Sequence, residues 1–179
     1  MIRVYTQKWD KKDGPWQCIL ADILKRDYFM EELPEIFRDD FGKPYFKECG
    51  LQFNVSHSGD YLAMAVSELP VGIDIQKTRT IRETTVKRVV QLQEKELLGQ
   101  AWEKDFLRLW TLKESFVKAE GKGLRIPMKD YYFEKENDCY FVNYGGQRSA
   151  WTFNIEETLI ESYFVSVCGL EDEIQWIIN

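Results

Sequence analysis

Between Thr80 and Glu120 the chain runs without a proline and with one glycine, and its apolar residues recur at helical spacing: Val86, Val89 and Val90, then Leu97, Leu98 and Trp102. Apolar positions three and four apart form one stripe of a helix, so the stretch predicts two or three helices, the last over roughly Lys104 to Glu120. Gly121 and Gly123 follow it and accept, at little steric cost, the left-handed backbone that closes a helix. Both flanks are short and β-favouring. Met1–Thr6 reads as a strand. A polar turn with Gly14 and Pro15 leads into a helix from Trp16 to about Phe29, where Ile19, Leu20, Ile23, Leu24 and Tyr28 repeat at three and four.

Leu51–Val55, Tyr61–Ser67 and Val71–Gln76 predict antiparallel strands joined by tight turns at His57–Asp60 and Leu69–Pro70. Tyr131–Phe133, Tyr140–Asn143, Trp151–Ile155, Tyr163–Cys168 and the segment ending in Trp176–Ile178 read as a strand meander. Strand, helix, three strands, helices, strands is an α+β order, not a βαβ alternation. At 179 residues the chain fits one domain of roughly 150 residues, with no visible linker.

Composition removes whole classes of function. Thirty acidic residues against 24 basic ones give a net charge of −6, the wrong sign for a duplex-binding protein. The longest plain apolar run, Tyr61–Val66, has six residues, where a membrane helix needs about 20. The opening MIRVYTQKWDKKDG lacks the apolar stretch of a signal peptide. A cytoplasmic protein that engages neither nucleic acid nor membrane is expected. Cys18, Cys49, Cys139 and Cys168 are widely spaced, and His57 is the single histidine, so neither a zinc site nor a disulfide framework is indicated.

Three clusters carry chemistry. In Val71-Gly72-Ile73-Asp74-Ile75-Gln76 the strand period sends the three β-branched residues to one face and Gly72, Asp74 and Gln76 to the other. Asp74 then projects beside a glycine that leaves room for a ligand. On the last helix, Glu114 and Lys118 are four apart, on a face shared with Leu107 and Trp110. Charged groups beside a large aromatic surface suggest a site, although an exposed Glu–Lys pair would give the same pattern. The third cluster, Asn54-Val55-Ser56-His57-Ser58-Gly59-Asp60, has hydroxyls, an imidazole and turn amides suited to phosphate. It has no Gly-x-Ser-x-Gly elbow for a hydrolase, and Gly121-Lys122-Gly123 lacks the Walker spacing.

FGKP at Phe41–Pro44, FNVSHSGD at Phe53–Asp60, VGIDI at Val71–Ile75 and WTLKESFVKAEGKGL at Trp110–Leu124 together closely resemble the surfactin-type 4′-phosphopantetheinyl transferases. The four motifs stand in the family's order. The resemblance implies an α+β fold of two similar halves, approximately 1–79 and 80–179, with coenzyme A in the cleft between them. It implies transfer of phosphopantetheine to a serine of an apo acyl- or peptidyl-carrier protein, releasing 3′,5′-ADP. By the same resemblance Asp74 and Glu114 are magnesium ligands, Lys118 lies near the pyrophosphate, Ser56 and His57 hold phosphate, and Lys43 touches the coenzyme. Magnesium takes hard oxygen ligands and few carboxylates. Glu114, or a water it orients, is the candidate base for the serine hydroxyl.

The chain departs from the pattern twice. Gln76 stands where many relatives have a second acidic residue, offering a neutral oxygen to the metal, directly or through water. The basic cluster that longer relatives place before the first long helix is reduced to Lys8, Lys11 and Lys12. These departures favour an alternative, a catalytically impaired carrier-protein-binding relative, while Asp74, His57, Glu114 and Lys118 argue for an enzyme. A metal-dependent phosphohydrolase would use similar carboxylates but release phosphate without a carrier. With two halves in one chain, a monomer would suffice.

Overall fold

The structure is a computed structural model and describes residues 1–123, 126–157, 160–171 and 173–178. Leu124, the last residue of the fourth motif, lies outside the described residues. The first strand, β1 (Ile2–Lys8), leads through a short 3-10 turn at Lys11–Asp13 to α1 (Trp16–Tyr28), which Pro15 precedes and Phe29 closes in a left-handed conformation. After β2 (Ile36–Arg38) and β3 (Pro44–Phe46) come β4 (Gln52–Ser58), β5 (Tyr61–Ser67) and β6 (Val71–Lys77). The helical stretch resolves into α2 (Glu83–Val89), a 3-10 turn at Lys95–Leu97 and α3 (Trp102–Glu120), and α3 stops at Gly121 with φ of 70°. Strands β7 (Tyr131–Glu136), β8 (Cys139–Tyr144), β9 (Gln147–Arg148), β10 (Thr152–Glu156), β11 (Tyr163–Gly169) and β12 (Ile174–Ile178) complete the order. The α+β class therefore stands. Among the described residues no helix is long and apolar enough to cross a membrane.

Two sheets form the centre, one in the order β12-β1-β5-β4 and the other β10-β11-β6. Strand alternation explains how they stack. Val4 and Ala63 meet Ile73, Ile75 and Val165 in the core between the sheets. The opposite faces of β1 and β5, with Tyr5, Leu62 and Met64, receive Leu20, Ile23 and Leu24 of α1. Cys168, Phe164 and the far face of β6 receive α3. The layers run helix, sheet, sheet, helix, each buried Leu or Phe contributing about 1.5–3 kcal/mol of transfer free energy.

Two expected connections are corrected. β6 does not extend the β4–β5 hairpin; it pairs antiparallel with β11, Asp74 opposite Ser166. Its other edge meets the polar inner face of β4, where Asn54 Oδ1 accepts the Ile73 amide (2.9 Å), Ser56 Oγ the Ile75 amide (3.4 Å) and Ser58 Oγ the Lys77 amide (3.0 Å). Side chains take the hydrogens that a backbone ladder would use. The last five runs are not one meander either: β7-β8-β9 form their own sheet, β10 and β11 join β6, and β12 lies parallel to β1. Strands thus cross residue 79 in both directions, β6 into the second layer and β12 into the first.

Candidate active site

Gly72 decides how near α3 lies to the sheet. A Cβ there would overlap the carbonyl of Ser115 and the amide of Ala119. The space this glycine frees is therefore occupied by helix backbone, not by a ligand as the sequence suggested. Small residues continue the contact, with the Ser115 and Ser166 hydroxyls 3.1 Å apart. The result brings Glu114 and Lys118, one turn apart on α3, over Asp74 at the middle of β6.

The Lys118 ammonium donates to Asp74 Oδ1 (2.7 Å), Ser56 Oγ (2.9 Å) and the carbonyl of Ile73 (3.0 Å). Ser56 Oγ donates to the same Asp74 oxygen at 2.8 Å, while Gln76 Nε2 donates to Asp74 Oδ2 at 3.0 Å. Asp74 is buried at 2% exposure. Glu114 is half-buried and makes no hydrogen bond or ion pair among the described residues. Burial first, and the neighbouring Asp74 charge second, push its carboxyl above the usual range, with Lys118 opposing them. A half-buried carboxylate that has no partner and repels a second one is a site poised for a cation or a proton.

His57, next to last in β4, is exposed, its ring centroid 5.5 Å from that of Trp9. Burial, then the charges of Lys11 and Lys118, hold the imidazole below its usual range. A cavity of about 520 Å³ brings His57 together with Lys8, Trp9 and Lys11, and with the carboxylates of Asp10, Asp13 and Asp60; Lys12 is not among its lining residues. On the other side of Ser56 a smaller hollow of about 220 Å³ lies between the Phe41–Pro44 loop, Val55 and the end of α3. The stem of Lys43 lines it, but its ammonium turns to the carbonyls of Lys118 (2.6 Å), Val71 and Ala119 (both 3.4 Å). Burial lowers its proton affinity. There Lys43 complements the carbonyl end of α3.

Asp74, Glu114, Lys118, Ser56 and Gln76 are thus gathered, and His57 sits at the edge of the group. Sequence reasoning missed Trp9, whose position between Lys8 and Lys11 was a usable signal, and the neighbouring buried pair Lys113–Glu94, for which no spacing rule exists. Magnesium suits the donor set, since two carboxylates and an amide oxygen are hard ligands and no thiol or imidazole stands among them. Among the described residues no cluster of three or more His, Cys, Asp or Glu could hold a metal, so substrate and water would have to complete the shell.

Residues 70–168 match the 4′-phosphopantetheinyl transferase superfamily. The chain is 34% identical over 170 residues to the 4′-phosphopantetheinyl transferase gsp of Aneurinibacillus migulanus, covering 87% of this chain and 69% of that one. It is 33% identical over 138 residues to the 4′-phosphopantetheinyl transferase Sfp of Bacillus subtilis, covering 71% of this chain and 62% of that one. The crystal structure of Thermotoga maritima holo-[acyl-carrier-protein] synthase superposes with a TM-score of 0.47 at 22% identity, over 59% of this chain and 64% of that one.

Proposed function

The chain belongs to the 4′-phosphopantetheinyl transferase superfamily, and on that premise we propose that it moves the 4′-phosphopantetheine group of coenzyme A to a serine hydroxyl of an apo acyl- or peptidyl-carrier protein, with magnesium, releasing 3′,5′-ADP. The observation that carries the reading is the convergence of Asp74, Glu114 and Lys118 from a strand and a helix distant in sequence. Asp74 and Glu114 would hold the metal, with Gln76 as a neutral neighbour. When bound, magnesium supplies charge neutralisation for a pyrophosphate under attack.

The chain's own residues supply the rest. Glu114, or a water it orients, takes the proton of the attacking serine. Lys118 offsets negative charge on the departing 3′,5′-ADP, which in a partly dry site is worth far more than in water. His57, Lys8 and Lys11 face one cavity, which Asp10, Asp13 and Asp60 also line, and these three basic groups are the ones there that suit the 3′-phosphate. Arg79, Arg82, Lys87 and Arg88 are exposed soon after Asp74 in the chain and offer positive charge to a carrier protein with an acidic surface.

The test is mass spectrometry of an apo carrier protein incubated with the protein, coenzyme A and magnesium. One added phosphopantetheine arm is expected. No added mass over a panel of apo acyl- and peptidyl-carriers overturns the reading in favour of a non-catalytic carrier-binding relative.

A further inference from the structure

The β4–β5 hairpin turns at Gly59 and Asp60, past the pairing of Ser58 with Tyr61, and its tip is held from the other sheet. The Asp60 amide donates to the Tyr163 hydroxyl (3.2 Å), 103 positions away in the chain, while the Asp60 carbonyl accepts the Trp9 amide (2.9 Å). Asp60 thus links β11 to the segment that follows β1. Gly59 makes the approach possible, because its φ is +54° and a Cβ there would overlap the Tyr163 hydroxyl. The tyrosine is itself fixed, buried at 4% exposure in the core between the sheets with its ring centroid 5.0 Å from that of Tyr61. On the far side, the Trp9 indole donates to the Gly14 carbonyl (3.2 Å), and Asp10 and Asp13 close a capping box over the 3-10 turn. The segment from Trp9 to Gly14 is braced within itself.

We infer that Tyr163 is a positioning residue: its hydroxyl fixes the Gly59–Asp60 turn and, through the Asp60 carbonyl, the Trp9 segment, so that Lys8 and Lys11 stay opposite His57 across the cavity of about 520 Å³ that they line. The inference rests on the transferase reading for what enters that cavity, the 3′-phosphate of coenzyme A, but not for the contact itself. Tyr163 does not line the cavity, so it acts on a phosphate there only through the turn. An anion binds best where its cationic partners are already in place, since ordering side chains and loops on binding costs affinity. Placement matters more here because Asp10, Asp13 and Asp60 line the same cavity. A loosened segment brings like charge toward the phosphate as readily as it moves the lysines away. Lys77 also reaches the Asp60 carboxylate at 3.4 Å, but both side chains are exposed and such a pair holds weakly. The restraint falls to the buried hydroxyl.

Tyr163→Phe removes the hydroxyl and keeps the ring, and two measurements on the intact protein read the result. In amide hydrogen exchange, the Asp60 and Trp9 amides are expected to exchange about tenfold faster in the variant, while the amides at the centre of β5 keep their wild-type rates. In carrier modification with magnesium, Tyr163→Phe is expected to raise the KM for coenzyme A by about threefold or more with kcat within about twofold of wild type. The KM for dephospho-coenzyme A, which lacks the 3′-phosphate, is expected to stay within about twofold, so the preference for coenzyme A narrows. A merely structural loss would weaken both substrates alike. Should Tyr163→Phe fail to fold, Tyr163→Met, flexible enough to fill the same space, takes its place in both arms. Equal losses for the two substrates, a fall in kcat with KM unchanged, or an Asp60 amide indifferent to the hydroxyl would each overturn the inference, as would a wild type that uses both substrates equally well. A wild type that transfers nothing sinks the transferase reading alone, because the exchange arm still decides whether Tyr163 holds the turn and the Trp9 segment.

Discussion

Helix α3 carries two lysine–carboxylate pairs five residues apart, and their surroundings could hardly differ more. Lys113 meets Glu94 at 2.8 Å with both side chains wholly buried, whereas Lys118 meets Asp74 at 2.7 Å with the lysine 27% exposed. Glu94 is also fully engaged, accepting the Phe133 amide at one oxygen (2.9 Å) and the Gln91 amide at the other (2.8 Å). The ammonium of Lys113 lies 4.8 Å from the Tyr131 ring centroid and toward the Met128 carbonyl. This pair ties the turn at 91–94 and strand β7 to the helix. Lys118 of the other pair lines the hollow of about 220 Å³, and the pair stands beside Glu114, which makes no hydrogen bond or ion pair among the described residues. An ion pair of similar length is thus a clamp where every group is sealed and paired, and part of the proposed site where a neighbouring carboxylate has no hydrogen-bond partner.

The largest expected effect comes from breaking the sealed pair. Lys113→Met leaves Glu94 charged and buried, and should destabilise the fold by about 3–5 kcal/mol in denaturant titration. Adding Glu94→Leu should return much of that loss, because an apolar pair of similar volume needs no compensation. If Lys113→Met were as stable as wild type, the clamp would not exist.

Next in size is Lys118→Ala, which should lower carrier modification about a hundredfold or more while shifting Tm by only a few degrees. A stable, active Lys118→Ala protein, or an unstable one, would erase the contrast between the two pairs.

The smallest effect sharpens the comparison through pH. Because Glu114 is raised above its unfolded value, its contribution to stability is fully present below the unfolded value of about 4.3 and is lost as pH rises through the folded value. In metal-free buffer at pH 7, Glu114→Gln should therefore raise Tm by about a few degrees, although it abolishes transfer. The gain should vanish in calorimetry near pH 4. A loss of stability at pH 7 would mean that the carboxylate has a stabilising partner.

Much of this was written in the sequence, and the remainder depended on partners that periodicity does not name. Helical spacing placed Glu114 and Lys118 on one face, strand alternation placed Asp74 opposite the apolar side of β6, and Gly121 marked the end of α3. A period of two fixes the face of a strand but not its neighbour, so the pairing of β6 with β11 and of β12 with β1 stayed hidden. Gly72 was legible as a need for space, and only packing shows that a helix backbone uses it. The engagement of Ser56 and the turn of Lys43 toward the carbonyls of α3 are matters of hydrogen-bond accounting among residues up to 76 positions apart. Lys113 stood inside a motif already singled out, yet its partner sits in a turn that spacing does not specify.

The parallel pairing of Ile2–Thr6 with Ile174–Ile178 also sets a schedule. During synthesis β1 is the first of the described strands to leave the ribosome, and β5 reaches it only after the first helix and three further strands. The other edge of β1 then stays open until the last described strand emerges. A nascent chain holding that bare edge is open to strand pairing with other chains. Closing it requires pairing of residues as distant in sequence as Ile2 and Ile174, a slow class of folding event. An inner strand of the first sheet is therefore among the last to be sealed.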